Sequence, residues 1–172
     1  MKMKKVISVI SATVLLACMP GLSANATTTS YLIDNDPVAS SGNSHAPNGF
    51  SYISNSSCYN GDARRRSSSV GDSYVWIHPT IQFNNTTTVT VNLEVYLNHS
   101  TFTDPSATYK MNKDGSLEDI CTINQNTAPA GFGSVKSKKV SGCTQLKEIS
   151  VRTSEKSGYY TGADAIKVTY NY

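Results

Sequence analysis

Between residues 88 and 97 the chain alternates without a break: Thr88-Val89-Thr90-Val91-Asn92-Leu93-Glu94-Val95-Tyr96-Leu97. Side chains two apart share one face of a strand, whereas a helix would scatter these five apolar residues around its circumference. The segment is therefore expected to be a half-buried strand, with Val89, Val91, Leu93, Val95 and Leu97 inward and Tyr96 on the opposite, exposed face. No stretch longer than two turns carries apolar residues at helical spacing.

Shorter runs of the same kind recur. Strands are expected at 31–33, 50–54, 62–68, 73–77, 80–83, 107–111, 119–123, 135–140, 146–153 and 163–170. Turn residues separate them. Pro79 divides 73–77 from 80–83, and Lys113-Asp114-Gly115 marks a hairpin because Asp-Gly accepts positive φ. Val75, Ile77, Phe83, Ile149, Val151, Ile166 and Val168 join the expected core, and Trp76 is read as core as well. Strands every ~10 residues point to an all-β fold, a single antiparallel β-sandwich of jelly-roll type.

The first residues follow a different pattern. Lys2, Lys4 and Lys5 precede an uncharged apolar run at 6–17, and Ala24-Asn25-Ala26 supplies a small-x-small site. This reads as a secretory signal peptide over 1–26, followed by one domain over 27–172. The run is shorter than the ~20 residues a membrane anchor needs, so no transmembrane segment is expected in the mature chain. Leu15-Leu16-Ala17-Cys18 offers an alternative, a lipid anchor on Cys18 in place of secretion. Removing 26 of the 172 residues leaves 146, enough for a self-sufficient core. The leader also takes three of the fifteen basic residues, leaving twelve against twelve acidic ones. A neutral chain argues against nucleic acid as the partner.

Three cysteines remain after Cys18: Cys58, Cys121 and Cys143. In an oxidising compartment an odd count leaves one thiol unpaired. Cys121 and Cys143 flank a polar segment and are the expected disulfide, with pairings to Cys58 left open. No spacing suggests zinc.

Catalytic signatures are missing from the sequence. His45, His78 and His99 have no partner at ligand spacing, and no Ser stands in GxSxG. Asp34-Asn35-Asp36 is read as a strand-ending turn, with a structural calcium held by Asp34 and Asp36 as the alternative; no other cofactor is expected. Arg64 and Arg66 share a strand face opposite to Arg65 and suit an anionic ligand such as an acidic polysaccharide. Tyr59, Tyr96 and Tyr159 are candidate sugar-stacking rings.

Several of these segments fall in an order that resembles the golvesin/xanthan-lyase-type C-terminal domain. Asp34-Asn35-Asp36 is similar to its opening, and Tyr59-Asn60-Gly61-Asp62-Ala63-Arg64 to the stretch that follows. Val91-Asn92-Leu93-Glu94-Val95-Tyr96 resembles its "YeV" strand, and Ala163-Asp164-Ala165-Ile166-Lys167-Val168 its closing strand. The family's Trp after the opening is absent, and Thr-rich residues replace the Gly before the "YeV" strand. The resemblance implies a carbohydrate-binding β-sandwich without catalytic residues. The reading is a secreted, non-catalytic module that binds polysaccharide or another cell-surface glycan. The alternatives are an envelope protein with a protein partner and, behind it, a small secreted hydrolase.

Overall fold

Two strands too long to lie flat in one layer form the framework. The computed structural model describes residues 26–35, 44–45 and 49–172. Ten strands follow in chain order: β1 Thr28–Ile33, β2 Ser44–His45, β3 Ser51–Ser54, β4 Asp62–Ser67, β5 Ser73–Val95, β6 Ala107–Lys113, β7 Ser116–Ile123, β8 Ser134–Arg152, β9 Tyr160–Ala163 and β10 Ile166–Asn171. All pairings are antiparallel. One sheet runs β1-β10-β5-β8-β6-β7 with β2 on β5, and a second runs β3-β4-β9. Two short 3-10 turns, Tyr59–Gly61 and Gly131–Gly133, complete the regular structure. No helix among the described residues is long and apolar enough to cross a membrane. The leader and Cys18 lie outside the described residues.

The large sheet folds onto itself. In a straight strand His78 and Val91 would stand about 40 Å apart. Yet Tyr170, the cross-strand neighbour of Val91, donates its hydroxyl proton to His78 Nε2 at 2.7 Å. β5 must therefore bend back, and its register with β8 slips between Ile77 and Ile81 and again through Thr87 to Val89. Pro79 sits in the first slip, where it has no ladder hydrogen bond to donate. Strands expected as separate on either side of Pro79 are thus one bent strand. β8 bends alongside, with Gly142 at φ 64. β1 and β10 hang on residues 90–95 of β5, and β6 and β7 on the far half of β8. The two halves face one another as the layers of an antiparallel β-sandwich.

The core follows the expected stripe: Val89, Val91 and Leu93 are fully buried, with Val95 and Leu97 nearly so. In the first half of β5 the expectation is one residue out of register. Tyr74, Trp76 and His78 point inward, and Ile77 is exposed. Every side chain from 74 to 78 except the histidine is apolar or aromatic, so the alternation carried no sign there. Burial holds the His78 imidazole down to about 4, hence neutral, and it sits stacked on Tyr31 at 4.8 Å.

The expected Cys121–Cys143 bridge does not form. Asp114 at the β6–β7 tip accepts the Thr144 N–H at 2.9 Å, which places Cys143 beside that tip. Cys121 lies six residues along β7 from Gly115, about 20 Å away on a strand rise. A disulfide requires Cα atoms within about 7 Å. Cys58 is buried in the turn beside Asp164, and all three thiols are free. Burial pushes Cys58 and Cys121 up to about 11, so little reactive thiolate exists at neutral pH.

One seam is closed by charge. Lys136 and Lys138 stand opposite Leu93 and Val91, on the face that is elsewhere buried. Lys138 reaches across to Glu118 on β7 at 3.2 Å and to the Asp119 carbonyl. No backbone ladder joins β8 to β7 there.

Candidate functional site

The small sheet and the residue before β9 gather the exposed tyrosines Tyr52, Tyr159 and Tyr160 around three half-buried arginines. β4 is its middle strand, with Tyr52↔Arg64 on one side and Gly162↔Arg65 on the other. Alternation puts Arg64 and Arg66 on one face and Arg65 on the opposite one, as expected. The three have different surroundings. Arg66 pairs with Asp72 at 2.7 Å and donates to the Gly49 carbonyl at 3.0 Å. Gly49, at φ 118, leaves its Cβ position to that guanidinium, so Arg66 is fixed in the scaffold. Arg64 lies 4.9 Å over the ring of Tyr52, and Arg65 lies 4.7 Å over the ring of Tyr160. Among the described residues the arginines with carboxylate partners are Arg66 and Arg152; Arg64 and Arg65 have none. Tyr52 is 56% exposed and Tyr160 42%.

The loop after β5 completes the Arg65 face. The Phe102 ring occupies the space a side chain at Gly162 would need, and His99 packs on Phe102 at 5.4 Å. His99 Nδ1 accepts from the Thr101 backbone N–H at 3.2 Å and bonds the Thr101 hydroxyl at 2.7 Å. A backbone N–H can only donate, so the ring proton of the neutral imidazole sits on Nε2. Desolvation first, and Arg65 second, hold that ring below the ordinary histidine range. Gly162→Ala is expected to displace Phe102 and to cost about 1–3 kcal/mol through overpacking. Thermal melts check it, and an unchanged midpoint would mean that the ring moves freely aside.

The other candidates separate. Tyr59 and Tyr96, 37 positions apart, meet at 5.5 Å, and Phe132 contacts both at 5.6 and 5.2 Å. All three contacts are edge-to-face and all three rings are half-buried. Tyr96 was expected exposed on the sheet. β5 ends at Val95, however, and the Tyr96 hydroxyl turns toward the Ser57 carbonyl at 3.4 Å. The trio spends its ring faces on itself and serves as a plug more than a platform. Tyr159 is 41% exposed at the start of β9, on the opposite face to Tyr160. Asp36 lies outside the described residues. Asp34 accepts the Asn35 N–H at 2.8 Å and the Asn60 amide at 2.7 Å, the geometry of a side-chain-stabilised turn. No group of three His, Cys, Asp or Glu side chains among the described residues is arranged to hold a metal ion.

Among the described residues two acids are buried. Asp104 accepts the Ser106 and Ser154 backbone N–H groups and the Thr161 hydroxyl. Asp164 accepts the N–H groups of Tyr59, at 3.1 Å, and Ala165, at 2.9 Å. Burial, with Asp34 and Asp62 nearby, pushes Asp164 up to about 8. Both carboxyls are engaged in holding loops.

The sequence marks the Tyr159-Tyr160 pair as exposed rings suited to sugar, but it does not mark Tyr52, Arg65 or His99 as binding residues. Alternation had already set Arg65 apart from its neighbours, but only the strand pairing shows which ring each arginine covers.

No family model matches the chain, and no curated protein does. Among solved structures, the chain is similar to a Paenibacillus xanthan lyase, with a TM-score of 0.53 and 17% identity over 81% of this chain. It spans only 13% of that enzyme's length. A family 35 carbohydrate-binding module from Cellvibrio japonicus matches at TM-score 0.48 and 9% identity, covering 81% of this chain and 92% of that one. The C-terminal family 6 module of a marine laminarinase from Zobellia galactanivorans matches at 0.44 and 12%, covering 82% and 99%. The likeness to the xanthan lyase domain is one of fold, and it agrees with the β-sandwich described above.

Proposed function

We propose that this chain is an exported, non-catalytic carbohydrate-binding module. The observation that carries the reading is the pair of exposed tyrosines on the small sheet, each beneath an arginine that has no carboxylate partner among the described residues. A tyrosine ring offers a flat apolar face for the C–H face of a sugar, and its hydroxyl stays in water. The leader at 1–26 supports export. The engagement of Asp104 and Asp164 by loop amides supports a binding role, since neither carboxyl is left to act as an acid or base on a substrate. The likeness to the C-terminal domain family named above supports the same reading.

Affinity electrophoresis of the mature chain through gels loaded with neutral and acidic polysaccharides tests it. Retardation by at least one polymer is expected. Tyr160→Ala should weaken it about tenfold, equivalent to 1.4 kcal/mol, while the thermal midpoint is kept. No retardation by any polymer, with the fold intact, would overturn the reading.

A further inference from the structure

Among the described residues the Tyr160 face carries one cation and no acidic strand position. Tyr160, Gly162 and Arg65 share that face of the small sheet by register with Ser51 and Ser67, and Phe102 and His99 extend it. Arg65 brings guanidinium donors with no carboxylate among the described residues to receive them. His99 brings an Nε2–H with no partner among the described residues, because Thr101 occupies Nδ1. The nearest buried acid of the adjoining loop, Asp104, is saturated by donors of its own. The Ser51 and Ser67 hydroxyls can donate or accept, so they do not decide the ligand class. The one permanent charge on this face does, and a cation with no counter-charge suits a group that only accepts. A carboxylate does so, and the planar guanidinium can take both its oxygens at once.

We propose that this face binds acidic glycans, with a sugar carboxylate on Arg65, an adjoining ring on Tyr160 and the His99 Nε2–H donating to a carboxylate or ring-substituent oxygen. The assignment rests on the carbohydrate-binding reading above and deepens it. Tyr160 already holds the guanidinium over its ring, which fixes the fork before the ligand arrives. Because Arg65 is only half-buried, part of the attraction is screened by salt.

The test uses matched polymers. Polygalacturonate, alginate, glucuronoxylan and hyaluronan are each loaded into gels beside their carboxyl-reduced forms, which keep the backbone and lose the charge. The mature chain is expected to bind at least one polyuronate ten or more times more tightly than its reduced partner, and to lose most of that preference between 50 and about 500 mM salt. Arg65→Gln should abolish the preference, and Arg65→Lys, which keeps the charge without the fork, should lose most of it. Lys139→Gln, an equal charge loss on β8 of the large sheet, should leave the preference unchanged. Thermal melts of each variant separate lost binding from lost fold, with Arg65→Lys available if Arg65→Gln does not fold. Equal binding to each polymer and its reduced form would overturn the acidic assignment while leaving the carbohydrate reading standing. So would a preference that survives in a folded Arg65→Lys together with Arg65→Gln. Absence of binding to every polymer would overturn both.

Discussion

Asp164→Asn is expected to stabilise the chain by about 4 kcal/mol at pH 7, and to do so less and less as the pH falls. The folded state holds this carboxyl at about 8, against an ordinary value of 3.8. Between those values the folded chain keeps a proton that the unfolded chain releases. Stability therefore declines as the pH rises from about 4 through 8, by about 1.4 kcal/mol per unit. Asparagine has no proton to lose. Its carbonyl can accept the Tyr59 and Ala165 amides, and its new donor group faces the Asp34 and Asp62 carboxylates that repel an ionised Asp164. The variant should melt roughly 10 °C higher at pH 7, with a difference near zero at pH 4. His78 changes stability in the opposite direction. Held at about 4, it stays neutral in the fold while the unfolded ring protonates below 6.5, so acidification from 6.5 to 4 destabilises both proteins alike. The comparison between variant and parent removes that contribution. Melts from pH 4 to 8 with a chelator present decide the matter. A gain that does not vary with pH would mean that Asp164 is already ionised in the fold. Repeating the parent's melts with millimolar calcium tests the alternative reading of Asp34 and Asp36, since a bound cation would raise the midpoint.

Trp76→Ala should cost about 3–5 kcal/mol, a large share of the 5–15 kcal/mol that usually separates folded from unfolded domains. The ring is fully buried and contacts Tyr74 at 5.1 Å and Tyr109 at 6.4 Å. Its Nε1–H donates to the Asp164 carbonyl at 2.8 Å. That carbonyl lies in the link between β9 and β10, where the chain passes from the small sheet to the large one. The indole is therefore both filler and strut. Trp76→Phe keeps most of the volume and leaves the carbonyl without its donor, which should cost about 1–3 kcal/mol. Urea unfolding followed by far-ultraviolet circular dichroism ranks the three proteins. A phenylalanine variant as stable as the parent would show that the indole N–H does not tie the sheets together.

The parts of the fold that could be read from the sequence are those where polarity alternates cleanly. The stripe from Val89 to Leu97 has a residue with a polar group between every pair of apolar ones, so its inward face is determined locally. At 74–77 four consecutive apolar residues leave the choice to the opposing layer, which selects Tyr74 and Trp76. The segment expected as one strand from 163 to 170 is broken at Asp164, because its carboxyl captures the amides of Tyr59 and Ala165. Candidate binding residues are legible by type and not by neighbourhood. That Tyr59 meets Tyr96, or that Tyr160 lies under Arg65, follows from the pairing of β4 with β9 and from the turn before β4, neither of which leaves a trace within a few residues of those positions.

The lysines at the β8 seam bear on how the chain behaves in a crowd. Among the described residues no strand pairs with the outer edge of residues 134–140, which would otherwise offer a template on which a second copy could lay a strand. To do so, the newcomer would have to separate Lys138 from Glu118 and press its own backbone against the Lys136 and Lys138 ammonium groups, whose hydration it would strip. Growth of fibres along that edge is thereby opposed by the sequence of the strand itself. Pairing of two copies along that edge therefore carries the cost of stripping those ions of water, however concentrated the chain becomes.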